Sequence, residues 1–306
     1  MPSPASRTSP TSGSSSSPPR PVSTGPDGGA SGPGPSIPDL DAYLARVGLD
    51  RAPSASGEGL AALHLAHTSA VPFENLAIQA GELPIDLSLP ALEEKLVRRR
   101  RGGYCFEQNG LFRAVLLALG FDVRACEARV RPPSGELLPR THMVLVVRDG
   151  PRELLADVGF GASGPVLPVP VDGAEHDQWG FRYAVVREGP LRVLRARVPG
   201  SESAADLYAF FPEERPQVDF EVANWFTSTW PKSRFVETLT AQLARPDVRR
   251  TLRNLSYVER RGALETAREI GREELVPLLL SDFGLTLPEA TRFRALDGPP
   301  AEPRRT

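Results

Sequence analysis

An α+β fold is predicted, with a helical bundle in the first half of the chain and an antiparallel sheet or barrel in the middle. Two observations predict it. Between residues 40 and 119 apolar side chains recur at helical spacing. Near Asp122 the period changes to two, and turn signals such as Asp149-Gly150 and Glu188-Gly189 then separate paired apolar runs.

The chain has 306 residues, enough for two domains, with 40% hydrophobic and 24% charged residues, ordinary for a soluble globular protein. A net charge of -2 gives no reason to expect nucleic acid or an anionic membrane as partner. Two cysteines, Cys105 and Cys126, are too few for a disulfide framework and fit a reducing compartment. No apolar run reaches transmembrane length and the N-terminus lacks a signal-peptide core, so a cytoplasmic location is expected.

Residues 1–36 are rich in Ser, Pro and Gly and are expected to be disordered. Leu40, Tyr43, Leu44 and Val47 form a helical stripe closed by Gly48. A second helix is expected from Gly57 to Thr68, then an irregular connection Val71–Leu76, since Pro72 holds Val71 extended. Leu89–Arg100 reads as a third helix with Leu92, Leu96 and Val97 inward, and a fourth opens at Cys105 and closes at Gly120. Strands follow at Val123–Val130, Thr141–Arg148, Glu153–Val158, Phe181–Val186 and Leu191–Val198. Beyond Pro216, a helix is expected over Asp219–Trp230, strands over Arg234–Leu243 and Val248–Glu259, and a helix broken at Pro277 within Leu264–Leu280. The tail from 297 is expected to be disordered.

The chain is organised around Arg98-Arg99-Arg100-Arg101-Gly102-Gly103-Tyr104-Cys105. A cysteine in the first turn of a helix meets the positive end of the macrodipole, a placement suited to a thiolate nucleophile. The arginines are either a solvated helix end or a hold on an anionic substrate. A nucleophilic cysteine needs a base, and the base a third group to orient it. With Asp149-Gly150 as the turn, His142 falls opposite Asp157, and opposed residues have Cβ atoms roughly 4.5–5.5 Å apart. The pair reads as base and orienter, or as a cross-strand polar pair.

Other signals are weaker. His64 and His67 lie three apart on a helix, but no further ligand completes a metal site, so they are expected to be surface or half-buried histidines. His176 is expected in a solvated loop, and Cys126 in the core. Gly159-Phe160-Gly161-Ala162-Ser163-Gly164 matches a dinucleotide fingerprint, but Pro165 and Pro168 follow where a helix must open. The glycines more plainly let the backbone pass close to a ligand beside Asp157.

The chain resembles the arylamine N-acetyltransferases, through R-R-G-G-Y-C-F-E-Q-N at 100–109, T-H-M-V-L-V-V at 141–147 and D-V-G-F-G at 157–161, with V-P-F-E-N-L at 71–76 and N-W-F-T-S-T-W-P-K-S-R-F at 224–235. The resemblance runs from about residue 38 to 285. It implies a helical bundle at 37–121 carrying the nucleophile, a β-barrel at 122–218 carrying His and Asp, and an α/β lid at 219–296, around a cysteine-protease-like core. It places the family's triad on Cys105, His142 and Asp157. It further implies ping-pong transfer from acetyl-CoA, a co-substrate with no permanently bound cofactor or metal, to an arylamine, arylhydrazine or arylhydroxylamine. Phe73 and Phe160 are implied to line the acceptor pocket, and Thr141 and Gly161 to meet the pantetheine arm. Trp230 stands where many relatives have a smaller or polar residue. Three alternatives stand beside this reading: a related amide synthase releasing a polyketide chain onto an aryl amine, a transglutaminase-like cysteine hydrolase, and a silent binding module.

Overall fold

In this computed structural model, which describes residues 38–298, Asp39 caps α1 (Leu40–Val47) by accepting from the Ala42 N–H at 3.0 Å, and Gly48 ends it at φ 78°. Ser56 caps α2 (Gly57–Ala70) in the same way. The expected leader and all but the first two residues of the expected tail lie outside the described residues. Val71–Leu76 is not irregular throughout. Phe73–Glu74 form a short strand, β1, followed by α3 (Leu76–Ala80).

The expected third helix runs as α4 (Leu89–Leu92) and continues through Glu93–Arg98 as a wider π-type turn, with Leu92, Leu96 and Val97 inward as expected. Arg46 anchors the end of this segment, its guanidinium donating to the carbonyls of Leu96 at 2.9 Å and Ala70 at 2.8 Å. The cysteine helix, α5, spans Cys105–Ala118.

Eight antiparallel strands follow: β2 (Asp122–Val130), β3 (His142–Asp149), β4 (Arg152–Ala156), β5 (Val169–Pro170), β6 (His176–Gln178), β7 (Phe181–Glu188), β8 (Leu191–Arg197) and β9 (Ala205–Phe210). Their order is β5-β4-β3-β2-β9-β8-β7-β6, a nearly closed barrel in which β5 lies against β7. Strands β2 and β3 are buried on both faces. Val123, Ala125, Met143, Leu145 and Val147 join the helical core, while Cys126, Ala128, Val144 and Val146 fill the barrel. That double burial explains the unbroken apolar run after His142.

The β3–β4 register differs from the expectation. Asp149 pairs with Arg152 and Leu145 with Ala156, so Gly150-Pro151 form the turn. The slip is two residues, which preserves facing, and the ladder ends before His142. Asp157 reaches His142 from the loop beyond β4.

In the last third, α6 covers Gln217–Thr229. Arg234–Leu243 is not one strand. Ser233 Oγ accepts from the Phe235 N–H and starts a short helix, α7 (Arg234–Glu237), before β10 (Thr240–Ala244). Residues 248–259 hold two strands, β11 (Arg249–Arg253) and most of β12 (Ser256–Arg261), and Leu264–Glu269 is a further strand, β13. Pro277 sits in the first turn of α8 (Leu275–Phe283), where no N–H donor is needed, and does not break it. A short α9 covers Arg294–Asp297. The second sheet has the order β1-β10-β11-β12-β13, so a strand from the helical half completes the C-terminal sheet. A third core packs beneath it, joining Leu76, Leu243 and Leu252 to Leu275 and Leu279 of α8.

Candidate active site

Cys105 is the first residue of α5, only 3% exposed. The preceding Gly-Gly is a steric requirement. A Cβ on Gly102 would collide with the Pro72 carbonyl, and one on Gly103 would come within 2.8 Å of the Glu107 carboxylate. Glu107 in turn accepts from the Tyr104 N–H at 3.2 Å, capping the helix, and from Lys95 at 2.6 Å. Of the arginine run, Arg98, Arg99 and Arg100 are exposed. Arg101 is buried, and its Nη2 lies 2.9 Å from Glu74 Oε1.

Three chain segments converge on the thiol. Its S–H donates to the Thr141 carbonyl at 3.7 Å, next to His142, whose titration it influences. His142 Nε2 lies 2.7 Å from Asp157 Oδ2, which leaves Nδ1 for the sulfur. Asp157 is 1% exposed. Its Oδ1 accepts from Asn109 Nδ2 and from the Gly159 N–H, each at 2.9 Å. Gly159 is required there, because a Cβ would stand 2.8 Å from Cys105 Cα. Gly159 thus lets the backbone pass Cys105 itself.

Burial opposes charge on both members of the His142–Asp157 pair. Their attraction and hydrogen bond outweigh it, holding the imidazole well above its ordinary value and the carboxyl below its own. The imidazole is packed against Tyr208 and Phe160, with ring centroids 4.8 and 5.3 Å away. Cys126, by contrast, is a buried thiol pushed up to about 12 by desolvation.

Phe73, Phe160, Gly161 and Asp157 line one small cavity of about 10 Å³, together with Gln242 and Ala244 of β10. Gln242 Oε1 accepts from the Ala162 N–H at 2.8 Å. Thr141 meets the site through its carbonyl. A larger cleft of about 900 Å³ opens beside Arg140, one residue from Thr141, with Arg129, Glu136, Leu137 and Phe211 among its walls. Trp230 is half exposed and stacks on Phe226 at 5.9 Å.

The structure therefore brings Cys105, His142, Asp157, Phe73, Phe160, Gly161 and the Thr141 backbone together. Sequence reasoning missed Asn109, although its position four residues after Cys105 puts it on the same helix face. It also missed Tyr208, Gln242 and Gln108. His64 and His67 are wholly buried, contrary to the expectation of surface or half-buried positions: Tyr43 and Gln108 hydrogen-bond the His67 ring, and His64 packs edge-on against Phe112. His176 is not in a loop: it begins β6 opposite Tyr183, and its ring pairs with Asp172 at 3.1 Å near the surface. Among the described residues, no three His, Cys, Asp or Glu side chains are grouped to hold a metal ion.

The N-acetyltransferase family model matches residues 58–292, and the chain is by class an acyltransferase. An arylamine N-acetyltransferase from Mycolicibacterium smegmatis is 40% identical over 262 residues, covering 81% of this chain and 92% of that protein. The solved arylamine N-acetyltransferase from M. tuberculosis superposes with a TM-score of 0.77 at 37% identity, covering 81% of this chain and 94% of that one. That from Mycobacterium marinum, solved in complex with CoA, gives 0.76 at 36% identity, covering 81% and 93%. The chain belongs to the arylamine N-acetyltransferase family.

Proposed function

We propose that this enzyme transfers an acetyl group from acetyl-CoA to an arylamine, arylhydrazine or arylhydroxylamine, by a ping-pong route through an acetyl-Cys105 intermediate. The observation that carries this reading is the 2.7 Å contact of His142 Nε2 with Asp157, which leaves Nδ1 free to serve the Cys105 thiol. Asp157 fixes the tautomer and offsets the charge when His142 takes the thiol proton. The Cys105 sulfur attacks the thioester carbonyl, and free N–H groups at the start of α5 receive the developing oxyanion. The C–S bond to CoA breaks, and His142 returns its proton to the departing thiolate. Exchange of one thioester for another is nearly isoenergetic, so the acetyl group stays activated. The amine nitrogen then attacks, His142 takes its proton, and Cys105 leaves as thiolate.

Phe73 and Phe160 form the aromatic-accepting wall, which must open beyond its present 10 Å³ to admit a ring. The cleft beside Arg140 is the route for the co-substrate. Arg131 and Arg195 in its walls are paired with Asp206. Arg129 has no carboxylate partner among the described residues and is the cation for a CoA phosphate. Two free thiols fit a reducing compartment, the cytoplasm.

Intact-protein mass after brief exposure to acetyl-CoA tests the scheme. One acetyl group is expected on wild type, none on Cys105→Ala, and its discharge on adding an aniline-type amine. No adduct on folded wild type would overturn acetyl-CoA as donor.

A further inference from the structure

His67 lies on α2, one element away from the reacting groups, and is wholly buried. Its ring faces Phe112 at 5.4 Å, Tyr43 on one edge and Gln108 on the other. The hydrogen-bond chemistry of this row has a single solution. Gln108 Nε2 faces two carbonyls, Gly103 O at 2.8 Å and Pro72 O at 3.2 Å, so it is the amide's donor end. Gln108 Oε1 therefore faces His67 Nε2 at 3.2 Å and can only accept, so Nε2 carries the hydrogen. Burial pushes the imidazole down to about 3, leaving the ring neutral and Nδ1 bare. Nδ1 accepts from the Tyr43 hydroxyl at 2.9 Å.

The row ends on the two loops that flank the nucleophile. Pro72 precedes Phe73 of the acceptor wall, and Gly103 lies two residues before Cys105. The Gly103 carbonyl also accepts from the Glu74 N–H at 3.0 Å, so Gln108 and β1 hold the same atom. A flipped Gln108 amide would set its oxygen against two carbonyls. His67 adds to that preference, because its Nε2–H needs an acceptor and a flipped amide would present a donor.

We propose that His67 is a positioning residue for Cys105, acting through the orientation of the Gln108 amide to hold the Pro72 and Gly103 loops in register with the thiol. The inference rests on Cys105 as the reacting group, deepening the function proposed above.

The test compares wild type, His67→Phe, Gln108→Leu, the double variant and His67→Gln. Two rates are read by intact mass on protein shown folded by near-UV circular dichroism: alkylation of Cys105 by iodoacetamide and acetylation by acetyl-CoA. Each single apolar change is expected to slow both rates about tenfold, with the double variant no slower than Gln108→Leu alone. His67→Gln, which can accept from Tyr43 and donate to Gln108, is expected to stay within about threefold of wild type. Wild-type rates in folded His67→Phe, or losses that multiply in the double variant, would overturn the proposal. If the larger changes unfold the chain, Tyr43→Phe removes only the hydroxyl that Nδ1 accepts from, which holds the ring in the tautomer that donates to Gln108. A fall of about twofold or more in both rates then supports the proposal, and unchanged rates overturn it. Alkylation needs no acyl donor, so a failure of acetyl-CoA to label wild type would reject the donor without deciding the role of His67.

Discussion

Asn109 donates to Asp157 Oδ1 at 2.9 Å from the same helix that begins with Cys105. It also donates to the Met143 carbonyl at 2.8 Å and accepts from the Val158 N–H at 3.1 Å. One amide thus joins the helix, the strand that starts at His142 and the loop that holds the aspartate.

Replacing Asn109 by Ala leaves Asp157 Oδ1 and the Val158 N–H short of a partner inside the core. Stability should fall by about 1–3 kcal/mol, and acetylation of Cys105 by roughly tenfold or more as Asp157 loses its aim. Urea melts and single-turnover labelling measure the two effects separately.

The His142–Asp157 pair gives stability a pH dependence with a definite sign. The raised histidine contributes fully below its unfolded value, about 6.5, and loses that contribution as pH rises through its folded value. The lowered aspartate contributes above its unfolded value, about 3.9, and loses its share as pH falls through its folded value. Asp157→Asn should therefore lose most, relative to wild type, between about pH 4 and 6.5, where the isolated buried imidazole would have to shed its proton to fold. Denaturation midpoints at pH 5, 7 and 9 should show the gap narrowing as pH rises; a gap that widened would contradict the ion pair.

Two glycine substitutions separate steric need from backbone need. Gly159→Ala forces a methyl to within 2.8 Å of Cys105 Cα and should cost about 1–3 kcal/mol together with most of the acetylation rate. Gly48→Ala sits at φ 78° with nothing within 4 Å of the new methyl. It should cost about 1–2 kcal/mol and leave the rate unchanged. Parallel thermal melts and labelling rates distinguish the two.

Arg129 donates its side chain to the Leu138 carbonyl and carries its charge into the large cleft. Arg129→Ala should raise KM for acetyl-CoA about three- to tenfold with kcat little changed. Wild-type KM should climb with salt, and that of the variant should climb less. Steady-state kinetics at two ionic strengths would show it.

Much of this arrangement is legible in the sequence. Asp39 and Gly48 mark α1 to the residue because caps are local chemistry. Cys105, His142 and Asp157 stand out because each begins or follows an element whose period is plain. The β3–β4 register was less legible, since both Asp149-Gly150 and Gly150-Pro151 are acceptable turns and only packing selects between them. Arg234–Leu243 looks like a strand because Val236, Leu239, Ala241 and Leu243 are apolar; Ser233 converts its first turn into helix. Leu264–Glu269 is exposed along its whole length, so it carries no alternation to read. The burial of His67 depends on Tyr43 and Gln108 arriving from other helices, which no local pattern reports.

The pairing of β1 with β10 sets an order of assembly. Phe73 and Glu74 pair with Gln242 and Ala241, Asn75 accepts from the Thr240 N–H 165 residues away, and Glu74 holds the Gly103 carbonyl and the Arg101 side chain. A nascent chain carries its cysteine long before the strand that steadies the cysteine's loop has left the ribosome. The growing polypeptide therefore holds an unaimed thiol until β10 has emerged to pair with β1. Ribosome-stalled chains should take up an acetyl label only when they are long enough for β11 to have left the ribosome.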